Sequence, residues 1–185
     1  MPNWCLTNYA IEGSKKSIAE IKKAIVKHDN SIFYAWETDV LESLDIKWDK
    51  TDHLRGHVIE EPDMNEDGSV LRLVCEEAWE VSDFSRKLKE KYDDITIYWV
   101  GEEPMEIYYV TNDKEGKYYP FRYCVDTCIK GTYESNYMNT LDEVYDWLSS
   151  ITGGEISSAT DVQNFEDSCD EDDFIHINKF EVVED

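Results

Sequence analysis

The sequence predicts an α+β fold: a mainly antiparallel sheet with two helices on one face. Three observations carry this. The chain opens as a strand from its second residue, Met1-Pro2-Asn3-Trp4-Cys5, and that strand closes at Gly13. Two lysine-bearing amphipathic segments then alternate with β-rich runs, and helices on one face of a sheet are the economical packing for that order. Aromatic residues make up 13% of the 185 residues, including 12 Tyr and 6 Trp, enough apolar mass to order a chain whose net charge is -24.

Residues 3–12 read as the first strand, and Gly13-Ser14 supplies a break and an N-cap for a helix over 15–28. Ile18, Ile21 and Ile25 recur at helical spacing, while Lys15, Lys16, Lys22, Lys23 and Lys27 take the other faces. In 31–68 the reading is looser: Ile32, Phe33, Tyr34 and Trp36 suit a strand or packed turn, 38–46 suits a short helix, and Glu60 to Gly68 is a polar connection. Residues 69–76 return to strand character, and Ser82 caps a helix over 83–92 with Phe84 and Leu88 inward. Two β-rich runs, 95–100 and 105–110, flank a short connection, Gly101-Glu102-Glu103-Pro104.

After a turn at 112–116, residues 117–131 keep strand composition. Thr140-Leu141-Asp142-Glu143 is a capping box, opening a third helix that carries Leu141, Val144, Tyr145, Leu148 and Ile151 and stops at Gly153-Gly154. An acidic segment follows, and 174–183 reads as a last strand added to the same sheet. The expected organisation is a domain over 1–112 with a C-terminal extension over 113–185 packing on the same sheet, or one domain over 1–185.

A family resemblance rests on Met1-Pro2-Asn3-Trp4-Cys5, Asn8, Ile11-Glu12-Gly13, Glu77-Ala78-Trp79 before a helix and Glu102-Glu103-Pro104 after a strand. Together these resemble the Api-ninety-two-like proteins of phages, plasmids and integrated elements, over roughly the first 112 residues. The chain departs from that pattern in lacking prolines after Phe33 and directly after Trp79. The resemblance implies a ferredoxin-like domain and a mobile-element setting, and it implies no chemistry.

Chemistry-bearing motifs are sparse. There is no nucleophile elbow, phosphate loop, dinucleotide fingerprint or local Cys/His signature, so no catalytic residue and no cofactor is assigned. Glu76-Glu77 and Glu102-Glu103 are adjacent acids that a strand sends to opposite faces. Cys5, Cys75, Cys124, Cys128 and Cys169 are odd in number and widely spread, a poor disulfide framework that suits a reducing cytoplasm. No metal site is assigned. His53 and His57 share a helical spacing, but Asp52 and Gly56 oppose a helix; the acids from Asp161 through Glu166, Asp167, Asp170, Glu171, Asp172 and Asp173 lack the alternation and central glycine of a calcium loop. A leader and an apolar run of membrane-spanning length are both missing, so a cytoplasmic, membrane-free protein is expected.

The 42 acids outnumber the 18 bases, and half of all bases sit on the two expected helices, leaving about -30 on the remainder. Such a field repels nucleic acid, so no direct nucleic-acid binding is expected, and it favours basic protein partners. With aromatic anchors among carboxylates, the sequence reads as a non-enzymatic protein-binding module, an accessory protein of a mobile element. Its expected binding residues are Trp79, Trp99, Glu102 and Glu103. Two alternatives stand beside it: a DNA mimic that occupies a host nucleic-acid-binding or defence protein, and an uncharacterised hydrolase.

Overall fold

The computed structural model describes residues 3–28, 34–169 and 172–184. The expected strand or turn at Ile32 and Phe33 lies outside the described residues, as do Met1, Pro2, Asp170 and Glu171 of the motifs above. The chain forms two compact units, Met1–Lys114 with Val182–Asp185, and Glu115–Glu181.

In the first unit, β1 (Trp4–Glu12) is the centre of the sheet, with β5 (Val70–Ala78) on one side and β6 (Thr96–Glu103) on the other. Beyond β5 lie β3 (Gly56–Val58) and β2 (Ala35–Trp36), while β4 (Asp63–Met64) pairs with the other end of β5. Beyond β6 lies β7 (Tyr108–Thr111), followed by β11 (Glu181–Val182). Every pairing from β2 to β7 is antiparallel. With α1 (Lys15–Val26) after β1 and α3 (Phe84–Lys91) after β5, the strands β6-β1-β5-β3 give the ferredoxin-like order, to which a short α2 (Glu37–Ser43) is added.

The period-2 alternation of β1 sends Cys5, Thr7, Tyr9 and Ile11 into the interior and Trp4 and Leu6 outward. Leu71, Leu73, Cys75 and Glu77 of β5 face the same interior, where Ile18, Ile21 and Ile25 of α1 and Phe84 and Leu88 of α3 are buried. Each buried Leu, Ile or Phe among them contributes about 1.5–3 kcal/mol relative to exposure. Ser14 caps α1 by accepting the Ser17 amide at 3.2 Å. At α3 the capping position is Asp83, which makes no side-chain cap bond; Ser82 accepts the Phe84 amide at 3.1 Å from one residue earlier.

The loop expected at 101–104 is instead strand: β6 runs to Glu103, and the reversal is a 3₁₀ turn over Pro104–Glu106 closed by Ile107 in the left-handed region. Pro104 can begin such a turn because it has no amide to pair, so the strand stops one residue before it.

In the second unit, β8 (Tyr123–Ile129) is flanked by β9 (Thr132–Met138) and β10 (Phe174–Lys179) in a separate three-stranded sheet. Of the extension expected on the first sheet, β11 joins it; β8, β9 and β10 form their own sheet, over which α4 (Leu141–Thr152) and α5 (Ala159–Glu166) build a separate core, with Val144, Leu148 and Val162 beside Val125, Met138 and Ile175. Thr140 caps α4 by accepting the Glu143 amide at 3.2 Å, and Gly153 ends it at φ 72°. Among the described residues, no helix is long and apolar enough to cross a membrane.

Candidate functional site

The least expected feature of the first unit is a pair of carboxyl groups sealed in its interior. Glu37 is the first residue of α2 and Glu77 the eighth of β5, and both are 0% exposed. Glu77 points inward because it keeps the parity of Leu71, Leu73 and Cys75, which leaves Glu76 on the opposite face. Thr7 donates to Glu77 Oε2 at 2.5 Å and Tyr9 donates to its Oε1 at 2.6 Å. The Gly56 amide donates to Glu37 Oε2 at 3.0 Å. Ser82 Oγ lies between the two acids, 2.6 Å from Glu37 Oε1 and 2.9 Å from Glu77 Oε1.

A serine hydroxyl carries one proton, so it cannot donate to both acids at once. The arrangement closes if Glu37 is the protonated member, giving its hydrogen to Ser82, which gives its own to Glu77. Burial, and then the negative charge of Glu77, push the Glu37 carboxyl well above the ordinary carboxyl range. Among the described residues, no Lys, Arg or His forms an ion pair with either acid. The same field raises nearby groups: burial first, then Glu77 and Glu37, holds the Cys75 thiol and the Tyr9 phenol well up. Cys5, buried beside Thr7, is pushed up to about 12. Neither thiol is an activated nucleophile, and a carboxyl pair with no exposed atom cannot meet a substrate.

The reverse face of the same strands carries aromatic residues. Cross-strand partners share a face, so Trp36, His57, Glu76, Leu6 and Glu102 form one row across β2, β3, β5, β1 and β6. The His57 ring lies 4.8 Å from the ring of Trp36 and 5.4 Å, edge-on, from that of Trp4. Its Nε2 is 3.5 Å from Glu76 Oε2, and burial, opposed by Glu76, lowers its pKa below 6.5. At the end of the row, Trp79 follows the Trp4–Ala78 register pair and donates its amide to Asn3 O at 2.8 Å; Asn3 Nδ2 reaches Glu106 Oε1 at 2.9 Å. That contact brings the turn bearing Met105 and Ile107 to the same end.

These residues stay open to solvent. Trp4, Leu6, Trp36 and Trp79 are 40%, 41%, 40% and 48% exposed, and Met105 and Ile107 are 82% and 76% exposed. Trp79 and Ile107 also sit at φ 70° and 55°, where a bulky or β-branched side chain is strained, and strain of this kind gathers at functional surfaces. Beside Trp79 is a cleft of about 190 Å³ lined by Lys50, Asp52, His53, Arg55, Glu80 and Ser82. The Arg55 guanidinium lies 5.3 Å over the Trp79 ring, and His53 Nδ1 is 3.3 Å from Glu80.

Of the four residues expected to bind, Trp79 and Glu102 lie at this aromatic end. Trp99 and Glu103 share the inward parity of Ile97 in β6: Trp99 is 5% exposed, and Glu103, 3% exposed, caps the 3₁₀ turn by accepting the Glu106 amide at 2.5 Å. Residue parity, the rule already applied to Glu76 and Glu77, would have separated Glu102 from Glu103 and Trp99; Trp79 lies past the end of β5, where that rule no longer applies. Trp4, Leu6, Trp36 and His57 were missed as a group because the short strands β2 and β3 bring them together, and two- and three-residue strands leave no periodic signal. Among the described residues, no three His, Cys, Asp or Glu side chains converge as metal ligands.

The fold and this surface define an α+β protein with a ferredoxin-like sheet, an acid pair inside it and an aromatic face outside it. Comparison of the chain with family models, curated proteins and solved structures returned no match.

Proposed function

We propose that the chain is a non-enzymatic protein-binding module whose aromatic sheet end engages a cationic segment of a partner protein. The observation that carries this reading is the gathering of Trp4, Leu6, Trp36, Trp79, Met105 and Ile107 at one end of one sheet, all open to solvent. Large apolar side chains exposed together mark interaction sites, and Trp is the strongest single anchor in such interfaces. The rim supplies charge: Glu76, Glu80, Glu102 and Glu106 surround the rings in a chain of net charge -24. Indole faces flanked by carboxylates suit Arg and Lys, whose alkyl stems cover the rings while their heads meet the acids. Arg55 over Trp79 is an internal instance of that contact. Buried thiols at Cys5 and Cys75 accord with a cytoplasmic setting.

The test uses a labelled peptide of alternating arginine and leucine, titrated by fluorescence anisotropy at low and moderate salt against the wild type and a W4A/W36A variant. Binding weakened at least tenfold by the two substitutions, with part of the affinity surviving salt, supports the reading. Equal binding by both proteins contradicts it, since charge alone would then be the attraction, as a DNA mimic requires.

A further inference from the structure

We propose that Glu37 and Glu77 form a one-proton latch that holds the aromatic surface of the opposite sheet face in its assembled geometry. This inference concerns the regulation of the surface described above and rests on that reading of it.

The latch and the surface are built on the same backbone. Glu37 follows Trp36, Gly56 precedes His57, Thr7 follows Leu6, and Glu77 lies between Glu76 and Ala78-Trp79. Alternation along a strand sends one of each pair inward and its neighbour outward, so the acid pair lies directly behind the rings. It also joins the elements that position them. Through Gly56, Ser82, Thr7 and Tyr9 the two carboxyls connect α2, β3, β5, β1 and the segment leading into α3. The edge pairing of β2 with β3 spans only Ala35–Val58 and Trp36–His57. Trp36, on the edge strand, is therefore held by that short pairing and by Glu37 behind it, whereas His57 is also paired to Glu76 of β5.

Among the described residues, the groups facing the pair offer no cation to replace the proton. From β1 come Cys5, Thr7 and Tyr9, from β5 Cys75, from β3 the Gly56 amide, and from the segment before α3 Ser82. From β6 comes Gly101, whose bare Cα leaves room for Val81, Cys5 and Thr7; from β7 comes Tyr108, a phenol held up by burial and by the charges of Cys5, Glu80 and Glu77; and Glu102 on the outer face adds negative charge near Cys5. Losing the proton places two anions side by side in the interior with only hydroxyl and amide donors around them, and the arrangement must open. The sign follows from the direction of the Glu37 shift. A carboxyl that keeps its proton in the fold above its unfolded value contributes stability that falls as pH rises toward the folded value. The surface is assembled on the acid side and loosens on the alkaline side.

The test needs no partner. The indole N–H signals of Trp4 and Trp36 are followed by NMR from pH 5 to pH 10 in the full chain, in E37Q and in E77Q. Gln at position 37 is neutral at every pH and can still accept from Gly56 and donate toward Ser82. The wild type is expected to show a step in these two signals as pH rises above the ordinary carboxyl range, which E37Q lacks, while a His57 step below about pH 6.5 persists in both. E77Q removes the negative charge that opposes ionisation of Glu37, so its step moves to lower pH. If E37Q does not fold, E77Q alone decides, because an unmoved step contradicts the latch. A wild type without the step, or an E37Q variant that retains it, overturns the proposal. Neither outcome touches peptide binding at neutral pH, so failure of the latch and failure of the binding reading are separate results.

Discussion

Gly56→Ala probes the acid pair more sharply than removing either acid. A Cβ built on Gly56 falls 2.6 Å from Glu37 Oε1, 2.6 Å from Glu77 Cγ and 2.8 Å from Glu37 Cδ, where ordinary contact begins at 3.4 Å. Both carboxyls must retreat by most of an ångström, although neither has solvent to retreat into. Overpacking of a filled interior costs about 1–3 kcal/mol. Pulling Glu37 away from the Gly56 amide or Ser82 adds about 1–3 kcal/mol for a buried polar group left without its partner. Against this, the alanine restricts the unfolded chain and returns about 0.4–1 kcal/mol. The net expectation is destabilisation of about 3 kcal/mol. With a urea slope of about 2 kcal/mol/M, the midpoint drops by about 1.5 M. Tryptophan fluorescence is the assay, since Trp4, Trp36, Trp48, Trp79 and Trp99 lie in the first unit. Gly154→Ala is the control, because its Cβ would meet only Thr152 Oγ1 at 4.0 Å, and a change within about 0.5 kcal/mol is expected there. A Gly56→Ala variant that also stays within 0.5 kcal/mol would refute the packed acid pair.

Other consequences are independent of the acid pair. Thr140→Ala removes the acceptor of the Glu143 amide and is expected to cost about 1 kcal/mol, read by thermal denaturation with Trp147 on α4 as the probe. Asp52 accepts from the Asp49 amide at 2.8 Å and meets Arg86 at 2.8 Å and Lys87 at 3.2 Å, and these contacts, the amide foremost, lower its pKa from 3.8 to about 2. The stability it contributes is present above pH 3.8 and lost as pH falls toward 2, so D52N flattens that acid limb in a pH series of denaturation midpoints. Trp4→Ala and Trp36→Ala remove half-exposed rings, so each is expected to shift the urea midpoint by no more than about 0.5 M while abolishing its own indole signal.

Elements with a long apolar period were legible in the sequence. The stripe Ile18, Ile21, Ile25 gave α1, and Thr140 with Glu143 and Gly153 gave both ends of α4. β9 was not legible because six of its seven residues are exposed, so Thr132 to Tyr137 show no alternation, and because its hairpin turns at Lys130-Gly131 without the usual Asn or Asp. α5 was hidden in the acidic segment, where Val162 alone is buried and only the cap at Ser158 marks its start. The site was partly legible: Trp79 and Glu102 came from the residue types, whereas Glu37 gave no signal, since an acid at the first position of a helix ordinarily faces water. Its role depends on Glu77, 40 positions away, and on the bare Cα of Gly56, and neither is a local property of the chain.

The most direct test of the central claim, that the aromatic sheet end is the binding surface, is an NMR titration with the arginine-leucine peptide that follows all six tryptophan indole signals. The account predicts that Trp4, Trp36 and Trp79 shift together with one affinity, while Trp99 in the core and Trp147 on α4 stay unmoved. Shifts confined to Trp147, or spread evenly over all six, would contradict it.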